Sequence, residues 1–220
     1  MINAIILAAG QGTRMKSNKA KVLHQLGGKS LLQHVIDAIN PLSASINVVI
    51  GNDAELVKNS INSHSINWVI QKKQLGTGHA VQQAKTSIND KSTCIILYGD
   101  VPFISTNTIK SLIAQSQLTG FSLLTVILDE PSGYGRIVRK KNKLIQAIIE
   151  HKDADEEKQK INEINTGIMA IKGSLLKKYI SQLKPNNKQG ELYLTDIVEI
   201  AVSDKDRKST RLNSSHTSIS

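Results

Sequence analysis

A chain of 220 residues, 40% hydrophobic and 21% charged, can bury a sizeable core around a central sheet, and its composition excludes a disordered or fibrous class. No apolar run approaches the roughly 20 residues that a membrane-spanning helix needs. The formal charge of +10 raises nucleic acid as a partner, but aromatic residues make up only 3% and no basic segment interleaves with them. Small polyanions such as nucleotide phosphates fit that balance better than a nucleic-acid strand does.

The N-terminus enters the apolar run Ala4-Ile5-Ile6-Leu7 at once, with no basic segment or cleavage site before it. That argues against a secretory signal and predicts a cytoplasmic protein. The single cysteine, Cys94, excludes an intrachain disulfide, and the six histidines lack the Cys/His spacing of a zinc site.

Strand-like and helix-like periodicities then alternate. Strands are predicted at 4–7, 46–50, 68–70, 94–98 and 122–128, and helices at 31–39, 54–61, 79–85 and 108–118. This βαβα order predicts an α/β, Rossmann-like fold: a mostly parallel sheet with helices on both faces. After Pro131 the texture changes to short strands near 135–139 and 144–150, a charged excursion at 152–160 and a strand at 166–171, read as a small β subregion folded onto the same sheet. Two helices near 175–183 and 194–202 close the domain, assigned to residues 1–206. From Arg207 the chain turns serine-rich, basic and aperiodic, a composition that does not pack, so 207–220 is expected to be an unstructured, non-native-looking tail.

The first strand ends in Leu7-Ala8-Ala9-Gly10-Gln11-Gly12-Thr13-Arg14-Met15, where the first βα turn of such a sheet binds ligands. Glycines let main-chain N–H groups approach an anion closely, and Arg14 and Lys21 follow at once. A dinucleotide fingerprint would need glycine at Met15, and a Walker A loop ending in Gly28-Lys29-Ser30 would need one at Leu23. Asp100 follows the apolar strand Cys94-Ile95-Ile96-Leu97, which sets a carboxylate at the carboxyl end of a central strand, a suitable position for Mg²⁺. Cys94 itself reads as an inert core residue, and His24, His34, His79 and His151 as packing or surface residues.

The phosphate loop with Lys21-Val22-Leu23 resembles the sugar-1-phosphate nucleotidyltransferase superfamily. Five further motifs narrow the resemblance: Gln71 with Gln74-Leu75-Gly76-Thr77-Gly78-His79-Ala80, Tyr98-Gly99-Asp100-Val101-Pro102, Gly133-Tyr134-Gly135-Arg136, Glu150-His151-Lys152-Asp153 and Glu163-Ile164-Asn165-Thr166-Gly167. In this order they resemble the uridyltransferase half of bifunctional N-acetylglucosamine-1-phosphate uridyltransferase/glucosamine-1-phosphate acetyltransferases, over about residues 3–205.

The resemblance implies a role for each matched residue. Leu7, Ala8, Ala9 and Gly10 would bring main-chain groups to uracil and ribose, and Gln71 and Gly76 would read the uracil edge. Arg14 and Lys21 would hold the triphosphate, and Asp100 would hold Mg²⁺. Gly135, Glu150, Asn165, Thr77 and Tyr98 would form the sugar pocket, with Gly99 beside them. The implied reaction joins UTP and N-acetylglucosamine-1-phosphate to give UDP-N-acetylglucosamine and pyrophosphate, a step that in relatives feeds bacterial envelope polysaccharides. Nucleic-acid binding and membrane insertion are not expected.

Two departures stand out. Relatives continue into a trimeric left-handed β-helix that carries the acetyltransferase, and nothing in this sequence resembles it. Their second metal ligand, an asparagine on a strand after the last helix, has no counterpart, since Asn213 stands in the wrong context. Rival readings are a sister nucleotidyltransferase for another base or sugar, a non-catalytic nucleotide-binding regulator, and a nucleic-acid-binding protein whose affinity would fall steeply with salt.

Overall fold

The computed structural model describes residues 1–10, 19–42, 44–62, 65–206 and, along the backbone, 213–216. Its centre is four parallel strands, β1 (Ile2–Ala8), β4 (Ser45–Ile50), β5 (Ile66–Ile70) and β6 (Thr93–Tyr98), in the spatial order β5-β4-β1-β6. A small hairpin, β2 (Gln25–Leu26) with β3 (Lys29–Ser30), lies between β1 and β4 in sequence and forms a sheet of its own. Because the chain adds β4 on one side of β1 and β6 on the other, strand order reverses at β1. A crevice therefore opens outside the carboxyl ends of β1 and β6, where open α/β sheets bind ligands.

Alternation along each strand feeds two cores. In β1, Ile5 and Leu7 face one side while Ala4, Ile6 and Ala8 face the other. On the first side lie α3 (Thr77–Gln83), α6 (Gly173–Ile180) and α7 (Asp196–Asp206), which bring Val81, Leu176, Tyr179, Ile180 and Ile197. On the second lie α1 (Leu31–Ile39), α2 (Ala54–Asn59) and α4 (Thr106–Thr119). The helix α1 forms because Leu32, Val35, Ile36 and Ile39 make one apolar stripe and the Ser30 hydroxyl accepts from Gln33 N–H at 3.2 Å as its cap. Ser105 caps α4 in the same way, accepting from Thr108 N–H at 3.1 Å.

Away from the crevice, three asparagines in neighbouring strands link the sheet. Asn47 donates to Asn3 Oδ1 at 2.9 Å and Asn67 donates to Asn47 Oδ1 at 2.7 Å, while Asn3 donates to the Ser87 carbonyl at 2.7 Å. The buried amides of Asn3 and Asn47 thus find partners that burial would otherwise deny them.

The sheet extends beyond β6 through β10 (Glu163–Lys172), which pairs antiparallel with both β6 and β7 (Phe121–Ile127). A hairpin of β8 (Arg136–Arg139) and β9 (Ile145–Ile149) joins β10 through the pair Ile164–Arg136, followed in sequence by the short helix α5 (Glu156–Gln159). Arg139 clamps hairpin to strand with two parallel contacts to Glu163, at 2.7 and 2.6 Å. The expected α/β architecture is present, mostly parallel with helices on both faces.

Two expectations need correction. The strand expected from 166 begins at Glu163, so Asn165 lies inside β10, where the β7 pairing shifts register between Asn165 and Met169. Within the tail expected to be unstructured, Asn213–His216 forms β11, parallel to the outer edge of β7. An edge strand offers unpaired main-chain donors and acceptors that any extended segment can use, whatever its side chains. Among the described residues no helix is long and apolar enough to cross a membrane.

Candidate active site

The crevice is a cleft of about 450 Å³ at the switch point. Leu7, Ala8, Ala9 and Gly10 line it from the end of β1, Tyr98 and Asp100 from the end of β6, Gln71 from the end of β5, Gly76 and Thr77 from the start of α3, and Lys21 from a single helical turn, Lys21–Leu23. Ten of the expected substrate residues therefore share one cavity. Gly99 sits behind it, its N–H donating to the Leu7 carbonyl at 2.9 Å. Arg14 and the loop from Gln11 to Met15 lie outside the described residues.

The floor holds a charged pair, Lys21 Nζ to Asp100 Oδ2 at 2.6 Å, both side chains partly exposed. The expected metal residue is thus a carboxylate open to the cleft and already in direct contact with a cation. One such group suits Mg²⁺, which uses one or two carboxylates together with phosphates and water. Asn213, by its register opposite Ser122, lies level with the first half of β7, whereas Asp100 lies past the carboxyl end of β6. Strand rise and spacing put the two backbones roughly 20 Å apart, so Asn213 does not supply a second ligand.

The wall beside Gln71 is built by a tight turn. Gly76 has φ +103°, and a Cβ there would stand 2.6 Å from the Leu192 carbonyl, so only glycine fits. That carbonyl accepts from Gly78 N–H at 2.8 Å, Leu192 N–H donates to the Leu75 carbonyl at 2.8 Å, and Leu194 N–H donates to Thr77 Oγ1 at 3.0 Å. The segment before α7 is therefore strapped across the start of α3. Gln74 donates to the Ala9 carbonyl at 2.8 Å and ties the same turn to β1.

Gly135, Glu150 and Asn165 gather next to the cleft. The Asn165 N–H donates to the Gly135 carbonyl at 2.8 Å, and Thr195 Oγ1 donates to Glu150 Oε1 at 3.0 Å. Burial holds the Glu150 carboxyl above its ordinary range, with Asp153 adding to the effect and the Thr195 hydroxyl opposing it. Tyr98 joins this group to the cleft. Its ring packs against Gly167, and burial, then Glu150 and Asp100, push its hydroxyl up, so it stays protonated and able to donate. Burial also pushes the Cys94 thiol up to about 11, which fits an inert core residue.

Gln74, Val22, Ala80 and Glu191 also line the cleft, and Thr195 holds Glu150, though sequence reasoning gave none of them a role. Gln74 had a signal in its motif. Glu191 and Thr195 had none, because they reach the site through the strap from a distant part of the chain.

A sheet that reverses order at β1, with a glycine turn, a lysine and a carboxylate at the reversal, defines a nucleotide-handling α/β enzyme class. The chain belongs to the MobA-like NTP transferase domain family, whose model matches residues 4–163. That membership makes it a nucleotidyltransferase. It is 53% identical over 203 residues to the bifunctional protein GlmU of Ruthia magnifica subsp. Calyptogena magnifica, covering 92% of this chain and 45% of that protein. The chain thus spans less than half the length of this relative. Among solved structures, a protein described as a glucose-1-phosphate thymidylyltransferase from Bacillus anthracis, in complex with sucrose, superposes with a TM-score of 0.77 at 21% identity, covering 99% of this chain and 87% of its own. UDP-glucose pyrophosphorylase complexed with UDP-glucose gives 0.76 at 19%, covering 93% and 88%. At those identities the likeness bears on the fold alone.

Proposed function

We propose that the chain transfers a uridylyl group from UTP to N-acetylglucosamine-1-phosphate, giving UDP-N-acetylglucosamine and pyrophosphate. The observation that carries this reading is the cleft itself. It joins the Leu7–Gly10 backbone, Gln71 and Gly76 to the Lys21–Asp100 pair, and Tyr98 connects it to the Gly135, Glu150 and Asn165 group.

The attacking group is a phosphate oxygen, an anion at neutral pH, so no general base is needed. It displaces pyrophosphate at the α-phosphorus, and catalysis rests on alignment and on cations set where charge grows. Mg²⁺ held by Asp100 would neutralise charge on the phosphates. Lys21 pairs with phosphate oxygens, and the main chain of Ala8 to Gly10 approaches ribose and base closely because its side chains are small. Glu150 and Asn165 orient the sugar through its polar groups. The nearest rivals, a different base or a different sugar, share this chemistry.

A panel of UTP, CTP, GTP and ATP against several hexose-1-phosphates, read by pyrophosphate release with Mg²⁺, tests the reading. Turnover is expected with UTP and N-acetylglucosamine-1-phosphate foremost. A purine triphosphate used equally well would move the chain to a sister specificity. UTP binding with no pyrophosphate release under any pairing would make it a binding protein.

A further inference from the structure

Gln71 is buried, and the contacts around its amide are directional. Its Nε2 lies 3.2 Å from the Gly76 carbonyl oxygen and 3.0 Å from His79 Nδ1. A carbonyl oxygen only accepts, so the amide end facing Gly76 must be the amino group. Its second proton then points at His79 Nδ1, which must carry a lone pair, and the neutral ring keeps its own proton on Nε2. There Gln83 Nε2 lies 3.1 Å away and also donates to the His79 carbonyl at 3.3 Å. Gln83 is partly exposed, so its amide can turn its oxygen to accept the Nε2 proton and leave that carbonyl to water, a turn that the buried Gln71 amide cannot make without setting two carbonyl oxygens against each other. With both protons of Gln71 Nε2 engaged, Oε1 is the amide atom without a protein partner among the described residues, on a side chain that lines the cleft.

We infer that His79 is a positioning residue for base selection: by accepting from Gln71 Nε2 it fixes the amide with its carbonyl oxygen free for the nucleotide. This rests on the proposed contact between Gln71 and the base. A fixed acceptor there suits a base edge that presents an N–H, as N3 of uracil does. It repels a ring nitrogen with a lone pair, as N3 of cytosine has. Without His79 the amide keeps only its contact to Gly76 and can rotate to offer its amino group, so discrimination between the two pyrimidines weakens. His79 does not touch the nucleotide in this account, and it lies on α3, where sequence alone reads it as packing.

The test measures the dissociation constants of UTP and CTP, with Mg²⁺, for the wild-type chain and for His79→Leu, His79→Asn and Gln71→Leu. Leucine removes the acceptor, whereas an asparagine oxygen can take the place of Nδ1. The CTP/UTP ratio should fall about 3- to 10-fold in His79→Leu, the worth of one neutral hydrogen bond, and recover in His79→Asn. A loss of packing alone would weaken both nucleotides together and leave the ratio unchanged. An unchanged ratio in His79→Leu, an asparagine variant no better than leucine, or a wild type that binds both nucleotides equally overturns the inference. Should leucine lower the melting temperature sharply, His79→Gln, whose acceptor sits at the Nε2 position instead, takes its place with the same expected fall. A ratio insensitive to Gln71→Leu means that Gln71 does not read the base. A ratio lost in Gln71→Leu but kept in His79→Leu sinks only the role of His79.

Discussion

Lys21 and Asp100 meet at 2.6 Å on the floor of the cleft, so the lysine proposed for the triphosphate and the carboxylate proposed for the metal occupy each other. On the proposed reading a metal-bound nucleotide would separate the pair, with Lys21 turning to phosphate and Asp100 holding the metal. Asp100→Asn is expected to lower Mg²⁺-dependent pyrophosphate release about 10²- to 10³-fold, the scale of losing one electrostatic contact to a developing charge. Because the pair is partly exposed, unfolding free energy should stay within about 1 kcal/mol of wild type. Turnover equal to wild type would remove Asp100 from the metal site.

Gly167→Ala should destabilise the fold by about 2–4 kcal/mol. The glycine has φ +82°, and its added Cβ would overlap the Tyr98 ring, so left-handed strain and overpacking combine. The melting temperature should drop by roughly 5 to 15 °C. Adding Tyr98→Leu should restore part of the loss, and an additive double variant would show that the ring is not the obstacle.

Asp196 gives stability a pH dependence. Burial, then Glu199, Glu150 and Asp153, push its carboxyl up from 3.8 to about 6. A raised acid binds its proton more tightly when folded, so its effect is absent below the unfolded value, grows as pH rises from about 4 to 6, and is a constant penalty above that. Asp196→Asn should therefore stabilise the domain by about 1 kcal/mol at pH 7.5, after allowance for solvent screening and for the lost favourable charge at the start of α7, and by nothing near pH 3.5. Urea unfolding at the two pH values checks both sign and window. An equal effect at both would exclude titration of this group as the cause.

Removing residues 207–220 should leave the melting temperature within about 2 °C. The few main-chain bonds between β11 and β7 contribute about 1 kcal/mol each, and ordering each residue costs a similar amount. A larger drop on calorimetry would mean that the tail packs as well as pairs.

Much of this molecule was legible in its residues. Short continuous apolar runs gave the parallel strands, and the stripe Leu32, Val35, Ile36, Ile39 gave α1. The motifs gave ten residues that line one cleft. What stayed hidden depends on partners that only the folded chain brings together. The run Asn165-Thr166-Gly167 has turn composition, yet pairing with β7 keeps it within β10 around a register shift. No local feature marks β10 as the strand that separates β6 from β7. Thr195 bonds Glu150 from the strap, and His79 gains its meaning only because Gln71 faces it across the turn that leads into α3.

The place of β10 also bears on the order in which the chain can fold. As synthesis proceeds, β1, β4, β5 and β6 can assemble early, since each pairs with strands already made. When β7 appears it has no completed neighbour, and it waits with both edges bare while the β8–β9 hairpin is made. Only β10 fills the gap, joining β6 to β7 in one step. Until then the chain carries an open seam, so this interval is where a nascent molecule is most exposed to pairing with another copy and where a chaperone would gain most by holding it.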